Sequence, residues 1–290
     1  MCSTCGCGQT AVSTHDHGLG VPHDHGHACA SVLDHAHDHQ HEHDHTRAHG
    51  HLHEQDHARS NPSGQAKAKG PATLIQIERT LLEENDRHAA YNRGIFNRKH
   101  TCAFNFISSP GAGKTTLLEK TLTALRGRNV CCAVIEGDQA TDLDARRIAR
   151  TGVPVTQIET GRSCHLDAEQ VSRALGELDV PERGLLFIEN VGNLICPTEF
   201  KLGEHERVTI VSVAEGQDKP AKYPLAFRYA TAVVISKTDL LPYVDFDIVE
   251  ARRLIWGLNP KVPIFELSAT AGDGMDSWLA WIQRKLPIEV

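Results

Sequence analysis

"SSPGAGKTT", residues 108–116, stands between an apolar stretch, "TCAFNFI" (101–107), and a helix-forming one, "LLEKTLTALRG" (117–127). A glycine-rich turn that leaves a strand and opens a helix is the setting in which a backbone wraps phosphate groups. Its N–H groups and the helix N-terminus converge as donors. Gly111 and Gly113 permit conformations that a Cβ obstructs. Lys114 is placed to reach β- and γ-phosphates, and the Thr115 hydroxyl to ligate Mg2+. Gly111, Ala112, Gly113, Lys114, Thr115 and Thr116 are the expected phosphate-binding residues, with Lys114 also catalytic. Ser108 stands where the strict pattern has glycine.

Working outward from this loop, short apolar runs alternate with helical ones. "VCCAVIEG", "VPVTQIE", "GLLFIEN", "RVTIVSV", "TAVVIS" and "VPIFEL" read as strands. "HLDAEQVSRALGEL", "DIVEARRLIWGL" and "GMDSWLAWIQRKL" read as helices. This alternation predicts an α/β fold of the P-loop NTPase kind, a mostly parallel sheet with helices on both faces. Upstream, Leu74, Ile77, Leu81 and Ala89 recur at near-helical spacing, so 73–98 is expected to be an amphipathic helix, capped by Thr73 with Gln76. Ligands of such folds bind at the carboxyl ends of the strands, where the remaining motifs fall.

Two of those motifs point to guanine. "SKTD" (236–239) ends a strand: Asp239 can accept from guanine N1 and N2, a donor pair adenine lacks, and the Lys237 stem can lie across the base. Ser236 replaces the asparagine usual in this motif. "SAT" (268–270) follows another strand, and Ser268 and Ala269 can bring a backbone N–H to guanine O6. Acids follow two further strands: Asp138 in "EGDQ" and Glu189 in "ENVGN", either able to hold Mg2+ or its waters and both read as catalytic. Gly192 is placed to sense the γ-phosphate. No glutamine or histidine is evident for activating the attacking water, so hydrolysis is expected to be slow.

Residues 1–70 have a different composition. Fifteen of the nineteen histidines lie between His15 and His57, and no aromatic residue precedes Tyr91. Such a segment cannot offset the entropy of ordering its backbone, so 1–70 is expected to be a disordered tail and linker, and 71–290 the folded domain. A net charge of −7 argues against nucleic acid and membrane surfaces as partners. No apolar run approaches the roughly 20 residues of a membrane span. No signal peptide is visible, so the expected location is cytoplasmic.

The nine cysteines then read as metal ligands or buried thiols. Cys2, Cys5 and Cys7 fall within six residues. With the α-amine that removal of Met1 exposes, they suit square-planar Ni2+, or tetrahedral Zn2+. His35, His37, His39, His41, His43 and His45 typify a run of interchangeable imidazole chelates that needs neutral rings and fades below about pH 6. Cys164, His165 and Cys196 all lie in loops after strands on the nucleotide side. Spacing leaves open whether they share one ion or are ordinary loop residues. Cys131 and Cys132 read as structural thiols.

In combination, "CSTCGCG", the histidine tail, "NFISSPGAGKTTLLE", "IEGDQAT", "TGRSCHLDA", "IENVGNLICPTEF", "VISKTDLLPY" and "LSATAGDGM" resemble the HypB family, nickel-inserting GTPases of nickel-iron hydrogenase maturation. The resemblance implies that Cys2, Cys5 and Cys7 form the tight nickel site. It implies that Cys164, His165 and Cys196 bind nickel or zinc at the interface of a GTP-dependent homodimer. It further implies GTP, GDP, Mg2+, Ni2+ and Zn2+ as ligands, and a HypA-type accessory protein and the hydrogenase large subunit as partners. Urease accessory GTPases are similar in the phosphate loop but carry Cys-Pro-His, where this chain has Cys196-Pro197-Thr198. A urease-type delivery GTPase and a metal-storage protein with a regulatory nucleotide domain are the competing readings.

Overall fold

The computed structural model describes residues 71–139, 142–161 and 163–287. Cys2, Cys5, Cys7 and the histidines from His15 to His57 lie outside them. In chain order the elements are α1 (Pro71–Arg98), β1 (Cys102–Ser108), α2 (Lys114–Gly127), β2 (Cys132–Asp138), α3 (Leu143–Ala149), β3 (Val155–Glu159), α4 (Ala168–Glu177) and β4 (Leu185–Glu189). They continue with α5 (Cys196–Glu199), β5 (Glu206–Ser212), α6 (Lys219–Lys222), α7 (Pro224–Arg228), β6 (Ala232–Ser236), α8 (Ile248–Leu258), β7 (Ile264–Leu267) and α9 (Met275–Gln283). The sheet order is β3-β2-β4-β1-β5-β6-β7. Every neighbouring pair is parallel.

Parallel strands covered on both faces must be apolar on both, and β1, β4, β5 and β6 are buried almost throughout. Their alternate residues feed different layers. Phe104, Phe106 and Phe187 pack under Leu117, Leu118, Leu122 and Leu125 of α2 and under Trp278 and Trp281 of α9. The Trp278 indole N–H donates to Thr121 Oγ1 at 2.9 Å, so burying this ring strands no donor. On the opposite face Ala103, Ile135, Leu186 and Ile188 meet Phe96 of α1 and Val171 and Ala174 of α4. A third cluster joins Val211, Val233 and Ile235 to Ala226 and Phe227 of α7 and to Ala251 and Ile255 of α8.

The expected strands and long helices are present, with ends shifted by up to three residues. Besides the short helices α5, α6 and α7, which were not expected, three features differ from expectation. Residues 143–149 form α3, which buries only Ala145 and Ile148 and is too short for a helical period to stand out. Helix α4 starts at Ala168 rather than His165, because Asp167 accepts from Gln170 N at 2.7 Å in a capping box. Helix α1 begins at Pro71, so Thr73 lies inside it; a proline in the first turn has no N–H to satisfy.

Helix α1 is fastened by two asparagines seven residues apart, hence on one face. Asn85 Oδ1 accepts from Ala168 N at 2.9 Å, and its Nδ2 donates to Lys201 O at 2.8 Å. Asn92 Nδ2 donates to Ala168 O at 2.8 Å and Leu202 O at 3.0 Å, while its Oδ1 accepts from Ser172 Oγ at 2.6 Å. The approach is close enough that a Cβ on Gly203 would lie 2.6 Å from Ala89 O, and Gly203 also has a φ of +95°. Asn92→Ala should destabilise the fold by about 1–3 kcal/mol for each buried partner left unpaired, read as a lower urea midpoint with an unchanged slope.

Candidate nucleotide and metal site

The phosphate loop has the backbone its glycines allow: φ is +75° at Gly111 and +96° at Gly113. Lys114, the first residue of α2, is buried, and its Nζ donates to Ser108 Oγ at 3.1 Å. The serine that stands in for glycine therefore holds the lysine. Burial lowers the Lys114 pKa, opposed chiefly by Glu189. Thr115 Oγ1 donates to Glu189 Oε1 at 2.6 Å.

Glu136 and Glu189 are register partners on adjacent parallel strands, β2 and β4. Both are buried, and their carboxylates, with that of Asp144 on α3, lie within 4.8 Å of one another. Glu136 Oε2 and Glu189 Oε2 have no hydrogen-bond partner. Burial, then Glu189 and two further acids, pushes Glu136 up to about 8. Burial pushes Glu189 up to about 7 against the pull of Lys114 and Thr115. Clustered carboxylate oxygens beside a hydroxyl are a hard donor set, and the unpartnered oxygens have capacity to spare, so these residues fit Mg2+. Asp138 lines the same cleft but lies outside this three-acid group; its Oδ1 accepts from Gln139 N at 2.6 Å. Arg147 ties α3 to α2 through Thr116 at 3.0 Å and Glu119 at 2.8 Å, and also bonds Asp144.

The cleft has a volume of about 520 Å³, and Lys114, Thr115, Glu189, Gly192, Lys237 and Cys164 are among the residues on its wall. Gly192 has no room for a side chain: a Cβ there would lie 2.9 Å from Pro110 Cα. On the other flank Lys237, at φ +60°, donates to Gly111 O at 2.7 Å. Ser236 Oγ donates to Ala112 O at 2.7 Å, so the serine in place of asparagine still grips the phosphate loop. Asp239 is exposed in the turn that follows. Ser268 is fully buried and its hydroxyl accepts from Ala271 N at 3.0 Å, which makes it a builder of the turn that carries Ala269.

Cys164, His165 and Cys196 are brought together, with one ligand atom from each within 4.8 Å of the others. Cys164 Sγ lies 3.8 Å from His165 Nδ1. The His165 ring rests on Phe200 with centroids 4.1 Å apart, and burial lowers its pKa, which favours the neutral, ligating ring. All three are half-buried. Cys102 and Cys132, by contrast, are pushed by burial up to about 12, as expected of structural thiols.

Glu136, Asp144 and Arg147 are not among the residues expected at the site. Glu136 had a signal: a lone carboxylate inside the apolar run "CCAVIEG" is too costly to bury without a task. Asp144 and Arg147 had none, since α3 itself was not evident.

The two raised glutamates have a consequence for pH dependence. A carboxyl whose folded pKa exceeds its unfolded value binds extra protons when folded, so its stabilisation is full below pH 4.5 and is lost as pH rises through about 8. Without Mg2+ and nucleotide, the thermal midpoint should fall between pH 5 and 8. Glu136→Gln should flatten that fall, and Mg2+ with nucleotide should oppose it. A midpoint independent of pH in the metal-free protein would contradict the arrangement.

Residues 103–266 match the family model "CobW/HypB/UreG, nucleotide-binding domain". The hydrogenase maturation factor HypB of Azotobacter chroococcum mcd 1 is 50% identical over 226 residues, covering 77% of this chain and 74% of the relative. The crystal structure of HypB from Helicobacter pylori in complex with nickel is 36% identical with a TM-score of 0.65, over 70% of this chain and 94% of that one. The hydrogenase maturation factor HypB from Archaeoglobus fulgidus is 37% identical with a TM-score of 0.65, over 71% of this chain and 100% of that one. The parallel sheet, the phosphate loop and this extent of identity agree: the chain belongs to the CobW/HypB/UreG family of P-loop GTPases, and within it to the HypB hydrogenase maturation factors.

Proposed function

We propose that this protein is a GTP-hydrolysing nickel metallochaperone, which binds Ni2+, with Zn2+ as an alternative cargo, and delivers nickel during maturation of a nickel-iron hydrogenase. One observation carries the reading: Cys164 lines the cleft of Lys114 and Thr115 while its thiol lies within ligand distance of His165 and Cys196. A phosphate site and a metal site that share a wall residue are built to respond to each other.

The reaction is GTP + H2O → GDP + Pi. Lys114 is held in place by Ser108 before nucleotide arrives. The incoming phosphates favour its charged form, which burial alone disfavours. Loop N–H groups from Gly111 to Thr116 orient the phosphates. Asp239 accepts from guanine N1 and N2, the Lys237 stem covers the base, and Ala269 offers its N–H to O6. Thr115 and Glu189, with Glu136, Asp144 and Asp138 around them, would hold Mg2+, which would supply charge neutralisation for the phosphates. Gln139, the amide side chain on the cleft wall, is engaged with Ser163 O at 3.3 Å, in keeping with a slow intrinsic rate.

Cys2, Cys5 and Cys7 act as the tight nickel site and the histidine tail as a reservoir. Cys164, His165 and Cys196 act as the site under nucleotide control. Ile195, 60% exposed beside Cys196, is an apolar contact for a second copy in a GTP-dependent homodimer. A HypA-type accessory protein and the hydrogenase large subunit complete the route in the cytoplasm.

Two measurements test this. Asp239→Asn should weaken GTP binding by about ten- to a hundredfold, the loss of a charged hydrogen bond of about 1.5–3 kcal/mol; unchanged affinity rules out the base assignment. Ni2+ or Zn2+ affinity, by competition with a chromophoric chelator, should differ between GDP and GTP-analogue forms, and metal should shift GTP affinity by the same factor. Cys164→Ala or Cys196→Ala should abolish the difference with GDP affinity nearly intact. Equal metal affinity in both nucleotide states leaves the three-residue site without a switching role.

A further inference from the structure

Two asparagines flank Gly192, and both reach across to the segment that carries Cys164 and His165. Asn190, 1% exposed, accepts at Oδ1 from Leu166 N at 3.0 Å and from Val191 N at 3.0 Å. Its Nδ2 donates to Asn105 Oδ1 at 3.3 Å, and Asn105 is fully buried in β1, the central strand. Leu166, the residue after His165, is therefore pinned to the rigid centre of the sheet. Asn193 is bonded differently. Its Nδ2 donates to Cys164 O at 3.4 Å, and its Oδ1 accepts from Ile195 N at 2.8 Å, next to Cys196. One half-buried side chain thus joins the backbones of both cysteine-bearing segments.

Between the two asparagines lies Gly192, which packs so closely on Pro110 that a Cβ would meet Pro110 Cα at 2.9 Å. A displacement of the phosphate loop against Gly192 is passed forward along the chain to Asn193. It is not passed back through Asn190, which β1 and β4 hold. The three metal-ligating residues thus straddle one fixed tie, Asn190 to Leu166, and one that travels with Gly192, Asn193 to Cys164. Of the other bonds near the trio, those of Asn85 and Asn92 fasten Ala168, Lys201 and Leu202 to α1, and those of Gln139 to Ser163 O at 3.3 Å and of Ser163 Oγ to His165 O at 2.9 Å touch the Cys164 side alone.

We infer that Asn193 is the positioning residue through which the nucleotide state sets the Cys164-to-Cys196 spacing, and so the affinity of the site for a thiolate-binding divalent metal. This rests on the proposed coupling of metal and nucleotide and names the residue that carries it. Asn193 contributes no ligand; it acts by holding the two ligand-bearing backbones in register.

The test uses the full chain with Cys2, Cys5, Cys7 and Cys29 replaced by serine, so that thiolate-to-Co2+ charge-transfer absorption reports the Cys164 and Cys196 site. The histidine tail gives no such band, and its competition for Co2+ is common to both nucleotide states. Co2+ titrations with GDP and with a non-hydrolysable GTP analogue should give affinities that differ by at least about fivefold. In Asn193→Ala the band should persist and GDP affinity stay within about twofold, while the nucleotide ratio collapses towards one. Asn193→Asp, which keeps the acceptor for Ile195 N but loses the donor to Cys164 O, should collapse it as well, with the thermal midpoint unchanged. A ratio near one before Asn193 is altered overturns the coupling itself. A ratio that survives in Asn193→Ala or Asn193→Asp overturns only the role of Asn193.

Discussion

Two glutamates at one register of neighbouring strands, buried on the face that carries the phosphate loop, impose the constraint on which the rest of this fold depends. Two full charges within 4.8 Å repel by about 3.5 kcal/mol at an effective dielectric near 20, before any cost of dehydration. The protein offsets part of this internally. Thr115 donates to one carboxylate, and Lys114 faces the pair from the first turn of α2. The remainder is left for protons, or for a cation and the phosphates that accompany it. A pair buried to this degree is unfavourable in the ligand-free chain, and that gives nucleotide and metal leverage over the surrounding loops.

The leverage has somewhere to go because the loops at this end of the sheet are cross-tied. Ser236 and Lys237 hold the phosphate loop from β6, Gly192 presses on it from β4, and Arg147 joins α3 to α2. Helix α1 ties down the far ends of the segments that carry Cys164, His165 and Cys196, at Ala168 and at Lys201 and Leu202. Those segments are thereby restrained at their outer ends and held less tightly between them, where Cys164 lines the cleft. The asparagines of α1 thus make the cysteine–histidine cluster a locally anchored group rather than part of a free loop.

Much of this was legible in the chain because parallel strands buried on both faces leave continuous apolar runs, and "CAFNFIS" or "AVVIS" reads as little else. The phosphate loop and the cysteine–histidine trio were legible because their chemistry needs particular residue types at strand ends. Helix α3 was not, since seven residues with two buried positions carry no usable period. The pairing of Glu136 with Glu189 was hidden for a different reason: it depends on sheet register across 53 positions of sequence, which no local pattern encodes. Ser236 and Ser108 read as departures from pattern, yet Ser236 grips the phosphate loop by a single hydroxyl bond, and Ser108 adds a hydroxyl that holds Lys114 where glycine would offer none. Sequence motifs record residue types, whereas the site requires only a hydrogen-bonding group at the right place.

Cys132 and the pair Cys164 and Cys196 stand in different surroundings. Cys132 is packed into the core with its thiol near 12, where no thiolate forms and no ion reaches it. Cys164 and Cys196 stay half-buried, Cys164 on the wall of the nucleotide cleft, with His165 beside them. A structural zinc site is closed by four protein ligands. Three ligands from Cys164, His165 and Cys196 would leave a coordination position for an outside donor, which is the condition a site must meet if its ion is to be handed on rather than kept. In the proposed metallochaperone that donor comes from a second copy while the ion is held, and from the recipient when it leaves. A fourth ligand built into this chain would tighten binding in both nucleotide states alike and so weaken the control that the shared cleft wall makes available.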